Sequence, residues 1–215
     1  MQRQAIRAIF LVFVLIAIPI QARSQDIVCT GSTPIASQAR TSMKHRNPPT
    51  STTQPKNATV SQVLSWAAPP DIANVKTRRS NQSIDPREDQ GFTIDGDLWR
   101  VIVEDNDCDF HLELATPGQP KTASRIIVEV PQGDAFLAAR KLLLEELTAN
   151  GYELSVGKSI TLDEPLRVTV TGFAFYDAAH YSKKNPKKGH SHGTAFVGTL
   201  WELHPVWNIS FAETP

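Results

Sequence analysis

The chain has 215 residues, with 22 Lys and Arg against 22 Asp and Glu, six histidines and only two cysteines. That length suits one domain with a real core, preceded by a tail. The even charge supplies no global basic field, so nucleic-acid binding would have to rest on a local patch. Two distant thiols are too few for a thiolate zinc site.

The opening residues read as a targeting signal. Arg3 and Arg7 give a positive start, Ile9 to Ile20 an apolar core, and Ala22-Arg23-Ser24 a small-x-small cleavage pattern. The apolar run falls short of the ~20 residues a membrane span needs. Residues 1–24 are therefore expected to be a signal peptide removed on export to a periplasm or the extracellular space, with a retained anchor as the alternative. Cleavage would remove Arg3, Arg7 and Arg23 and no acid, leaving 19 basic residues against 22 acidic ones. Cys29 and Cys108 would then meet an oxidising compartment, where they either pair or stay free.

Residues 25–91 are expected to form a disordered or loosely structured linker, rich in Ser, Thr, Pro, Gln and Arg through NPPTSTTQP at 47–55. A short helix near 59–66 interrupts it, capped by Thr59, lined by Val60, Val63, Leu64 and Trp66, and stopped by Pro69-Pro70. Regular structure becomes dense over 92–213. Alternation predicts strands over Leu98–Glu104, Cys108–Leu114 and Ser124–Val130. Asp134 then opens a helix whose stripe is Phe136, Leu143 and Leu147, and Asn150-Gly151 closes it. Tyr152–Leu162 reads as a short strand or extended connection, followed by strands over Arg167–Tyr176 and Leu200–Phe211.

Three strands, one helix and two strands make a mainly β chain of α+β type. The order is that of an OB-like five-stranded barrel with its helix between strands three and four. An open α+β sheet fits the same string less specifically.

In such a barrel the loops after strands one and four flank the ligand face. Here these are the acidic turn with Asp105 and Asp107 and the long loop from Asp177 to Ala195. The long loop carries Lys183, Lys184, Lys187 and Lys188, which suit a polyanion or nucleic acid in their functional reading and mere solubility in their bland one. Alternating His190 and His192, with His180 or Asp177 as a third ligand, could hold a divalent metal and activate water, though Gly-, Lys- and His-bearing loops are usually just solvated. Within the strands, His111 with Glu113 and Glu202 with His204 are polar pairs on one sheet surface. They fit either an acid–base couple, half a metal site, or the hydrogen-bonded capping of a barrel end. No G-x-S-x-G elbow, phosphate loop or dinucleotide fingerprint is present.

The segments DNDCDFHLEL, RIIVEVP, VTVTGFAFYDAAH and WELHPVWNISF resemble a group of exported bacterial proteins over about Ala58 to Phe211. The resemblance rests on Asp107, Asp109, His111 and Leu112; Ile127, Glu129 and Pro131; Val170, Gly172, Phe175 and Asp177; and Glu202 to Val206. It implies export and no particular chemistry. Gln132-Gly133-Asp134 stands where that group often has a cysteine, and Trp201 where it has a smaller residue. The reading is a secreted binding module, not obviously catalytic. A metal-assisted, nuclease-like hydrolase and a structural, envelope-associated interaction domain are the alternatives. All depend on the acidic turn and the late loop meeting over one mouth of the barrel.

Overall fold

The computed structural model describes Asp26, Ile27, Cys29, residues 40–50 and residues 54–212. The expected signal segment lies outside the described residues. The elements are α1 (Thr41–Lys44), β1 (Lys56–Thr59), α2 (Val60–Ser65), α3 (Val75–Arg78), β2 (Gly91–Val103), β3 (Phe110–Ala115), β4 (Arg125–Val130), α4 (Leu137–Ala149), β5 (Ser159–Tyr176) and β6 (Val197–Phe211).

Strands pair in the order β2-β3-β4-β6-β5, and β5 returns to β2, closing a five-stranded barrel. The β4–β6 pair is parallel and the other barrel pairs are antiparallel. With α4 between the third and fourth barrel strands, this is the expected OB-like topology. The extra strand β1 runs parallel to the first part of β2, from Lys56 opposite Phe92 to Thr59 opposite Asp95.

Two barrel strands are longer than alternation predicts, and the reason is irregularity. β2 points Phe92, Ile94 and Leu98 into the core, then Val101 and Val103. That change from even to odd positions is absorbed by a register shift between Leu98 and Arg100. A bulge flips the side-chain alternation and keeps the apolar set inside. β5 is interrupted opposite the same bulge, where pairing jumps from Leu166 to Thr161 and passes Pro165. Pro165 cannot donate to the ladder, so it sits at the bend rather than in a regular stretch.

The helix closes one barrel end with Phe136, Ala139, Leu143, Leu144 and Leu147 in the core. Its start corrects the expected Asp134 cap. Asp134 begins a single 3-10 turn capped at Gly133, the α-helix itself takes Phe136 as its cap, and neither cap makes a side-chain hydrogen bond. Its end matches expectation, with Gly151 at φ +81°. α2 also forms as its signature predicts. The Thr59 hydroxyl accepts from the Gln62 amide, and the Gln62 side chain accepts from the Thr59 amide.

Within 25–91 several described residues are packed on the barrel, which composition does not foretell because the anchors are single side chains. Met43, Val60, Val63 and Ile72 are buried. Buried Arg40 makes a two-pronged pair with Glu88 at 2.8 and 2.7 Å and also donates to the Tyr176 carbonyl. Arg46 stacks 3.7 Å over the Phe173 ring. Cys29 and Cys108 form a disulfide, tying the N-terminal segment to the entry of β3. Such a bond belongs to an oxidising compartment. No helix of the described residues is long and apolar enough to cross a membrane.

Candidate ligand pocket and metal centre

The site grows from the strands' outward-facing positions. Phe110, Leu112 and Leu114 of β3, Ile126 and Val128 of β4, and Leu203 of β6 point into the core. Residues between them therefore face outward: His111 and Glu113, Ile127 and Glu129, Glu202 and His204. Register aligns them, with His111 opposite Glu129, Glu113 opposite Ile127, and Ile127 opposite Glu202. A polar row thus crosses three strands. It is nonetheless buried, because the loop after β5 folds back across it.

Glu113 is the latch for that loop. Its carboxylate accepts from the Thr194 amide at 2.9 Å and hydroxyl at 2.7 Å, from Arg125 at 3.0 Å and from Arg100 at 3.2 Å. Next to the latch, Gly193 has φ +69°, and a Cβ there would meet Val197 Cγ2 at 2.6 Å. Only glycine lets the loop lie this flat. His192 is consequently pressed inward.

Beyond the latch runs a continuous network of imidazoles and carboxylates. His111 Nδ1 donates to Glu129 Oε1 at 2.9 Å. The other Glu129 oxygen lies 2.7 Å from His204 Nδ1, and His204 Nε2 lies 3.2 Å from Asp109 Oδ2. Glu202 reaches His204 Nδ1 at 3.2 Å with one oxygen and His192 Nε2 at 3.4 Å with the other. His192 Nε2 is 3.6 Å from Asp177 Oδ2, which also accepts from His180 Nδ1 at 2.5 Å. Asp177, His180 and His192 each offer a donor atom within 4.8 Å of the others, and so do Asp109, Glu129 and His204.

Electrostatics follow from this crowding. Burial opposes charge on His111 and His204, but neighbouring carboxylates, Glu129 foremost, outweigh it and raise both pKa values. The hydrogen bond to Asp177 raises that of His180. Glu129 and Asp177 are both held below the usual carboxylate range. Burial pushes each upward, but His204 and Lys44 overcome it at Glu129, as the His180 hydrogen bond and Lys44 do at Asp177. Half-buried Lys44 of α1 is raised, because Glu129, Asp177, Glu202 and Asp109 prevail over its desolvation. Burial lifts Glu104, with Glu129 and Asp107 adding to it against His111 and Arg100.

The network opens on one side into a cavity of about 580 Å³. Its walls include Asn106 and Asp107 from the acidic turn, His180 and His192 from the late loop, and His111, Glu129, Asp177 and Glu104. The two loops therefore meet over one mouth. Asp105 is exposed and does not line the cavity, and neither do the exposed Lys183, Lys184, Lys187 and Lys188. Exposed His190 lies edge-on to His180 at 5.8 Å and outside both donor groups. The pairing expected for His111 and Glu113 is redistributed: His111 takes Glu129 across the strands, and Glu113 serves the latch. Glu202 and His204 do meet.

Asp109, Glu129, Lys44, Glu104 and Arg100 also belong to the site, beyond the residues expected from sequence. Glu129 did carry a signal, as the one acid in the apolar run RIIVEV. Lys44 carried none, being one base in a polar tract.

No family model, curated protein or solved structure matches this chain.

Proposed function

We propose that this chain is an exported barrel module that binds a first-row divalent metal ion at the lip of its ligand face and takes a ligand in the adjoining cavity. The observation that carries this is the convergence of Asp177, His180 and His192 at the cavity wall. Two imidazoles and a carboxylate suit zinc and its neighbours, and a three-residue site leaves a coordination position for water or ligand. The cavity's charge agrees. Glu104, Asp107, Glu129 and Asp177 line it against Lys44 and Arg100, a balance that favours a cation over a bare polyanion. A polyanionic polymer would have to track the exposed lysines of the loop tip instead. Export draws on the apolar run at 9–20 and on the Cys29–Cys108 disulfide.

The test is Zn²⁺ titration and elemental analysis of the purified mature protein. At least one bound equivalent is expected, with the Asp177 site lost in a His180→Ala/His192→Ala double variant. A protein that takes up no zinc, cobalt or manganese sinks the reading.

Metal-assisted hydrolysis is a second reading, favoured by the His111–Glu129 couple on the same cavity wall. A carboxylate that accepts from Nδ1 orients the ring and leaves Nε2 for proton transfer. His111→Ala should then cost roughly 10²–10⁴-fold in turnover of a phosphoester or ester while zinc binding at Asp177 persists. Absence of turnover across both ester classes by the zinc-loaded protein would leave binding as the whole function.

A further inference from the structure

We infer that the same face holds a second divalent cation, bound by Asp109, Glu129 and His204 and joined to the first through the carboxylate of Glu202. The inference rests on the metal reading given above for Asp177, His180 and His192, and makes that site one half of a two-metal centre.

Four observations carry it. The donors of Asp109, Glu129 and His204 lie within 4.8 Å of one another, as do those of the first group. Asp109 is 1% exposed, yet neither of its oxygens accepts a hydrogen bond from a described residue. The imidazole of His204 stands 3.2 Å away, and Lys44, His45 and Arg140 act on the carboxylate electrostatically without hydrogen bonding to it. A buried carboxylate left without hydrogen bonds is costly and calls for a cation.

Glu202 then supplies the link. Its two oxygens address one histidine from each group, His204 at 3.2 Å and His192 at 3.4 Å, the disposition of a bridging carboxylate. Finally, His111 donates to Glu129 from behind, as outer residues do when they orient a carboxylate ligand. Asp109, Glu129, Asp177 and Glu202 together carry a formal charge that two divalent cations match. Paired cations of this kind typically stand ~3.5–4 Å apart and clamp one bridging anion between them.

Zinc stoichiometry separates the possibilities in the full mature chain. Two equivalents are expected, falling to one in Asp109→Asn, and to one in Asp177→Asn through loss of the other position. Manganese-loaded protein should give an exchange-coupled electron paramagnetic resonance spectrum that Glu202→Gln converts to isolated ions. That spectrum needs no variant at Asp109, should that change prevent folding. One equivalent with an uncoupled spectrum overturns the two-metal centre and leaves the first site standing. No bound metal overturns both.

Discussion

Two polar networks share one face of this barrel, and they are built on opposite terms. Around Glu113 every charge is answered: two guanidiniums, one amide and one hydroxyl converge on a single buried carboxylate. Around Glu202, four buried or nearly buried carboxylates crowd four imidazoles and a single lysine, and Asp109 accepts no hydrogen bond from a described residue. Satisfied networks specify a structure, whereas under-satisfied ones are where ligands and protons go. The first network holds a loop in place. The second is what the loop is held over.

Breaking the latch should have the largest effect. Glu113→Ala strands buried Arg125 without its partner, and loss of one member of a buried pair costs about 3–5 kcal/mol. Urea unfolding of metal-free protein measures it, and a change below about 1 kcal/mol would dissolve the contrast between the networks. Metal should next stabilise only the second network. Zinc at about 100 times its dissociation constant should add about 2.7 kcal/mol to the wild type for each site it fills. The share owed to the Asp177 site should vanish in His180→Ala/His192→Ala while that of the Asp109 site remains, by the same unfolding measurement.

A pH series on chelator-treated protein sharpens the comparison further. His111, His180 and His204 have folded pKa values above the ordinary 6.5. Their contribution is complete below 6.5 and is lost as pH rises through the folded values. Glu129 and Asp177 lie below their ordinary 4.5 and 3.8, so their contribution is present above those values and is lost as pH falls toward the folded ones. Stability should therefore peak between roughly pH 4.5 and 6.5. A maximum above pH 8 would contradict the imidazole assignments. Least affected should be the quadruple change of Lys183, Lys184, Lys187 and Lys188 to Glu, within about 0.5 kcal/mol in stability as for exposed positions generally. Zinc uptake by that variant should match the wild type, and a lost equivalent would draw the loop tip into the site.

Local pattern carried most of the architecture. Alternation in Phe110–Leu114 and the stripe of Phe136, Leu143 and Leu147 needed only neighbours in sequence, so those elements and their order were legible. The start of β2 was not, because Asp95-Gly96-Asp97 mimics a turn and the bulge beyond Leu98 inverts the alternation. At the site, Asp177, His180 and His192 announced themselves through residue type and spacing. The pairing of His111 with Glu129 depends on the register between β3 and β4, a long-range property that no window of sequence contains. Lys44 was least visible, since its place is set by the Cys29 bond to Cys108 and the Arg40 pair with Glu88, partners remote from it in chain order.

The Glu113 latch also has a bearing on how this loop can be re-engineered. It pins the chain at Thr194, Asp177 and His180 pin the other end, and between them the arc is tied down at Pro186, Lys187 and His190, whose backbone meets the Tyr176 hydroxyl, the Leu200 amide and the His180 carbonyl. Only the exposed Lys183-Lys184 tip stands clear of these ties and of the cavity lining, which makes it the natural port for an affinity tag or fluorophore that reports on the pocket without entering it.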